Sequence, residues 1–89
     1  MSRQRSTETI RQAEYVTIGE LVRLTEVRYS TLKFYTEEGL LPFEQEEENL
    51  TRRYKRKESI ERISLIKRLR EEGLSIAELK KMLVSEKEG

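Results

Sequence analysis

Thr17 stands three residues ahead of Glu20, at the head of an apolar stripe made by Ile18, Leu21, Val22 and Leu24. A threonine there accepts from the backbone of the third helical residue while the glutamate reaches back to the threonine amide, so the spacing predicts a helix over about 18–24. Only a tight connection, Thr25-Glu26-Val27, separates it from a second segment over about 29–37. That segment carries Tyr29, Leu32, Phe34 and Tyr35, with Ser30, Thr31 and Lys33 on its other side, and Gly39 is placed to end it in the left-handed conformation. Two short helices joined by so tight a turn form a helix-turn-helix. Leu32 and Phe34 are expected in the core.

Leu40-Leu41-Pro42 reads as extended, as suits the residue before a proline. Residues 43–51 lack helical periodicity and Arg52-Arg53-Tyr54 looks extended again, so the two flanks of this polar loop read as a β-ribbon, or wing. Ile60, Ile63, Ile66 and Leu69 then recur at helical spacing, widened by Leu65 and closed by Gly73, which predicts a helix over about 56–72. Ser75 and Glu78 form a second capping box ahead of Leu79, Met82 and Leu83, for a helix over about 76–84. Residues 1–14, with Ile10 and Ala13 as the only apolar members past Met1, are expected to be a mobile polar tail, and 85–89 a charged one. The fold expected is mainly α, a winged helix-turn-helix over 15–84 with four helices and a two-stranded β-ribbon wing.

At 89 residues the chain is one small domain with a modest core. Charged residues are 39% of it and apolar ones 35%, which fits helices that each bury one stripe. It has no cysteine and no histidine, so disulfides, thiolate or imidazole metal sites and catalysis by either residue are excluded. No cofactor is implied. No nucleophile–base pair or convergent carboxylate cluster is in evidence, so an enzyme is not expected. No apolar run approaches the ~20 residues that span a membrane, and the N-terminus has no apolar signal region. The expected location is cytoplasmic, associated with the nucleoid.

The net charge of +1 says little, but its distribution says more. Residues 37–48 carry six acidic side chains (Glu37, Glu38, Glu44, Glu46, Glu47, Glu48) and no basic one, whereas 52–57 carry five basic ones and no acidic one. A dense basic patch in a nearly neutral chain reads either as a nucleic-acid contact or as a solvated helix entrance. The topology decides for DNA. In a helix-turn-helix the second helix can enter the major groove, and here it offers hydrogen-bonding and cationic groups with no carboxylate before Glu37.

The segments Ile18-Gly19-Glu20-Leu21, Thr31-Leu32-Lys33-Phe34-Tyr35, Gly39-Leu40-Leu41-Pro42 and Arg52-Arg53-Tyr54, continuing into Ile66–Ile76 and Glu78-Leu79, resemble in order and spacing the DNA-binding domain of the MerR family of bacterial regulators. The resemblance covers about residues 15–84. It implies a transcriptional regulator that distorts promoter DNA for RNA polymerase, with the second helix in the major groove and wing arginines on flanking phosphates. Carried over residue by residue, it makes Lys33, Tyr35, Arg52 and Arg53 phosphate contacts and Tyr29, Ser30 and Thr31 base readers, with Arg28 and Lys55 completing the DNA-binding set. Tyr54 is either a DNA contact or a core aromatic pinning the ribbon to the 56–72 helix.

Lys33 stands where the family usually has arginine, and a point charge replaces a forked donor. Phe34 stands where it usually has tyrosine and lacks the hydroxyl. The wing tip, normally small and polar, is here Glu44-Gln45-Glu46-Glu47-Glu48, and is expected to point away from DNA. The long dimerisation helix and effector domain of the family have no counterpart after Ser85, as in a shortened regulator or a small free-standing protein. Such a chain would act on double-stranded DNA as a homodimer or as side-by-side copies. Two rival readings are an excisionase-like or partition-like architectural protein that binds as adjacent copies, and a protein-interaction module that uses the acidic wing loop.

Overall fold

The structure, a computed structural model, describes residues 6–47 and 50–84. The expected termini at 1–5 and 85–89, and Glu48 of the acidic run, lie outside the described residues. In chain order the elements are α1 (Thr7–Gln12), β1 (Tyr15–Val16), α2 (Ile18–Thr25), α3 (Tyr29–Glu37), β2 (Tyr54–Lys55), α4 (Arg56–Glu71) and α5 (Ile76–Leu83).

Both capping boxes form. The Glu20 amide donates to Thr17 Oγ1 at 3.2 Å and the Thr17 amide to Glu20 Oε1 at 2.9 Å, and Ser75 and Glu78 repeat the pattern at the head of α5. Gly39, at φ 81°, turns the chain out of α3, and the Leu40 amide donates back to the Tyr35 carbonyl at 2.9 Å. Glu26 ends α2 in the left-handed region at φ 62°, so the turn of the helix-turn-helix is made without a glycine.

The first correction concerns the N-terminus. Residues 7–12 are a fifth helix rather than part of a mobile tail. The Ser6 hydroxyl caps α1 by accepting from the Thr9 amide at 3.1 Å, and Ile10 is fully buried. A helix this short does not persist alone in water, so docking holds it. Burying one isoleucine is worth roughly 2 kcal/mol, and Arg23 on α2 adds a 3.0 Å bond to Thr7 Oγ1.

The second correction concerns the sheet. Its two strands are not the two legs of the wing. β1 pairs antiparallel with β2, with Tyr15 opposite Lys55 and Val16 opposite Tyr54. Among the described residues the wing itself is closed by a single bridge between Glu44 and Arg53, whose amides and carbonyls exchange bonds of 2.7 and 2.8 Å. The leg that returns from the wing tip is thus flanked by Glu44 and then by the N-terminal strand.

One core joins these elements. Leu21 of α2, Leu32 of α3, Ile63 and Ile66 of α4 and Leu79 of α5 meet Leu40, Leu41, Ile10 and Tyr54. Met82, expected in the apolar stripe of α5, is exposed, because Leu79 and Leu83 one turn apart define the inward face.

Candidate nucleic-acid interface

The inward face of α3 is set by Leu32, Tyr35 and Thr36, all buried. Helical geometry then sends Ser30, Lys33, Phe34 and Glu37 outward, and all four are exposed. Phe34 is a correction: at 43% exposure it is on the surface, not in the core. Tyr29, in the first turn, is 54% exposed and Arg28 before it is exposed, while Thr31 is half-buried.

Two of the expected contacts withdraw into the protein. Tyr35 is buried on the side of α3 away from solvent, its ring 6.3 Å from that of Phe34. Tyr54 is 1% exposed, and its hydroxyl lies 3.0 Å from Oγ1 of Thr36. The Thr36 hydroxyl donates its only proton to the Leu32 carbonyl at 2.8 Å, so Tyr54 is the donor of the pair. Tyr54 is therefore a core aromatic, but its hydroxyl pins the wing to α3, the second helix of the motif, rather than to α4.

The wing cations are held differently from one another. The Arg52 guanidinium lies over the Phe43 ring, 4.7 Å from its centroid, and the side chain is half-buried. Stacking of this kind orients the planar fork without consuming its donors. Arg53 and Lys55 are exposed, on backbone fixed by pairing to Glu44 and Tyr15. Across the molecule, Tyr29 and Lys33 of α3 and Arg52 of the wing line one groove with Thr17 and Ile18 at the head of α2. Two cations from separate elements so face a common space, spaced by hydroxyl-bearing side chains. Glu37, one turn after Lys33 on α3, lines the same groove.

Hydrogen bonds tie Leu50 back to Gln45 and Glu47 in the wing. The Leu50 amide donates to the Glu47 carbonyl at 2.9 Å and the Gln45 side-chain amide to the Leu50 carbonyl at 2.6 Å, leaving Glu46 and Glu47 exposed. At the wing base the Tyr15 hydroxyl approaches a Glu44 carboxylate oxygen at 3.4 Å. Desolvation first, and the Glu44 charge second, raise the Tyr15 pKa above its ordinary value. Among the described residues no group of carboxylates could hold a metal ion, and no helix is long and apolar enough to cross a membrane.

Sequence reasoning missed the exposure of Phe34 and the whole of α1. The i, i+3, i+4 set of Leu32, Tyr35 and Thr36 was the available signal for the first. For the second there was only a lone Ile10 behind a serine cap.

Comparison with known proteins agrees with this geometry. The family model described as MerR HTH family regulatory protein matches residues 16–86. Searches of curated proteins and of solved structures gave no match. With most of its length matched, from the strand before the helix-turn-helix through α5, the chain belongs to the MerR family of helix-turn-helix regulatory proteins and is a DNA-binding transcription regulator of that kind.

Proposed function

We propose that the chain binds double-stranded DNA in a sequence-specific way, with the outer face of α3 in the major groove and the wing on the flanking backbone. Ser30, with Tyr29 and the partly covered Thr31, reads base edges from the first turn of α3. Lys33, Arg52 and Arg53 neutralise phosphates, and Arg28 and Lys55 extend the cationic surface on either side. The observation that carries this reading is the shared groove: Tyr29 and Lys33 from one element and Arg52 from another converge on it. Two copies bind together on promoter DNA, in the cytoplasm, where RNA polymerase engages the distorted site.

Selection of bound sequences from a random DNA pool, followed by a salt titration on the enriched site, tests the proposal. A defined sequence and a steep loss of affinity with salt are expected, because neutralised phosphates release counterions. Binding with no sequence preference, or none at low salt, overturns it. Footprinting on the enriched site adds the stoichiometry. A fixed pair of half-sites is the expected pattern, and a footprint that grows in even steps with protein concentration marks the architectural alternative.

A further inference from the structure

Arg56 belongs to the basic run 52–57, at the head of α4, yet its guanidinium is turned onto the protein. Its Nε–H donates to the Ala13 carbonyl at 2.7 Å, and its backbone amide donates to the Glu14 carbonyl at 2.9 Å. Moving back along the chain, Lys55 pairs with Tyr15, Tyr54 with Val16 and Arg53 with Glu44. Every residue from 53 to 56 is therefore stitched to a neighbour, and three of the four neighbours come from 14–16. An isolated two-stranded ribbon is marginal in water, so this outside support decides how rigidly the wing is held.

The support is itself anchored. Ile10 fixes α1 in the core, and Arg23 ties its first residue to α2. The Ala13 carbonyl follows the last turn of α1, where a cation is favoured by the unpaired carbonyls. The family match begins at residue 16, so α1 and its last carbonyls precede the matched segment.

We propose that Arg56 is a positioning residue for DNA binding and that residues 7–16 are its brace. Arg56 makes no phosphate contact. It acts on DNA through the placement of Arg52 and Arg53, and in that respect the inference rests on the DNA-binding reading above. The two competing roles predict different numbers. A phosphate contact contributes to the salt dependence by itself. A residue that merely stabilises the fold adds its effect to that of any wing substitution. A positioning residue does neither.

The test is a double-mutant cycle on the full chain, with affinity for the enriched DNA site measured over a salt series. Arg56→Met, which keeps the aliphatic stem and removes the donor, should weaken binding by roughly tenfold. The slope of log affinity against log salt should stay the same, where loss of a phosphate contact lowers it by about 0.9. In an Arg52→Ala, Arg53→Ala background the same change should cost less than about twofold, because Lys55 is then the one braced cation left to be positioned. Arg56→Lys, which restores one donor, should recover most of the loss, and the cycle is measured at a temperature at which the Arg56→Met variant is folded. Additive costs, or a lowered slope, overturn the positioning role. Hydrogen exchange without DNA reads the brace separately: the Glu44 and Arg53 amides should exchange about tenfold faster in the variant, with those of Ile63 and Ile66 unchanged. Unchanged exchange at Glu44 and Arg53 overturns the brace even in a chain that binds DNA. A wild-type chain that binds no DNA overturns the positioning role and the DNA-binding reading together, whatever the exchange shows.

Discussion

The Tyr54 hydroxyl donates to Oγ1 of Thr36 inside the core, a 3.0 Å bond that ties the wing to the outward-reading helix. Thr36 is committed on its other side to the Leu32 carbonyl of its own helix, so the pair is a closed polar unit with no unpaired atom. Tyr54→Phe leaves the buried Thr36 oxygen one partner short and should cost about 1–2 kcal/mol. Adding Thr36→Val removes the orphaned group and should recover part of that loss. Denaturant melts of the two single variants and the double variant check this. Simple addition of the two costs would show that the hydroxyls do not depend on each other.

Ile10 makes a second, independent test of the fold. Its side chain is the one fully buried group of α1, so Ile10→Ala should cost about 2–4 kcal/mol and leave a cavity. An N-terminal tail would lose nothing. A melting temperature unchanged by the substitution would return residues 7–12 to solvent.

Why α1 escaped a reading of the sequence, when α3 was bounded at Tyr29 and Glu37 in advance, is a matter of where the stabilisation lies. The ends of α2, α3 and α5 are written in local chemistry: Thr17 with Glu20, Gly39, and Ser75 with Glu78. α1 has one apolar residue and no stripe, and its stability comes from tertiary contact alone. The same holds for the sheet, since Val16 and Tyr54 are distant in the chain and no local pattern announces their pairing. Within the site, the cations Arg52, Arg53 and Lys33 were legible from composition, but the direction of each aromatic was not. Tyr35 and Phe34 are adjacent, and the first faces inward because it shares the buried i, i+3, i+4 face with Leu32 and Thr36, a face that the polar Thr36 disguises in the sequence.

The wing arginines should behave as phosphate contacts. Arg52→Ala and Arg53→Ala should each weaken binding to all DNA sequences alike and lower the salt slope by about 1. Arg52→Ala should lose somewhat more affinity, because Phe43 no longer orients a partner stacked 4.7 Å away. Slopes unchanged in both variants would place the basic patch away from DNA.

The outer face of α3 should set the preferred bases. Ser30→Ala should relax the preference at one position by roughly 1–3 kcal/mol, the worth of a lost base contact. Phe34, exposed one turn further along, can offer only an apolar contact, and the thymine methyl is the apolar group of the major groove. Phe34→Ala should therefore weaken binding chiefly to thymine-containing sites, and replacing those thymines by uracil should reproduce the loss with the wild-type chain. Preferences that survive both substitutions would mean that α3 is not the reader.

The acidic wing tip gives the last prediction. Glu46 and Glu47 are exposed at a tip closed by the Gln45 and Leu50 bonds, next to a leg that carries Arg52 and Arg53. Charges farther than about 8–10 Å from a phosphate are largely screened at physiological salt, whereas closer ones repel it at every salt concentration. Replacing Glu46 and Glu47 by glutamine removes the charge and keeps size and hydrogen bonding. With the tip directed away from DNA, affinity should rise slightly, by about twofold or less, and mainly at low salt. Binding curves at low and at physiological salt distinguish the possibilities. A large gain that persists at physiological salt would show that the glutamates sit against the backbone and act as a brake on binding. Unchanged DNA affinity combined with loss of regulation at the promoter would instead assign the tip to a protein partner.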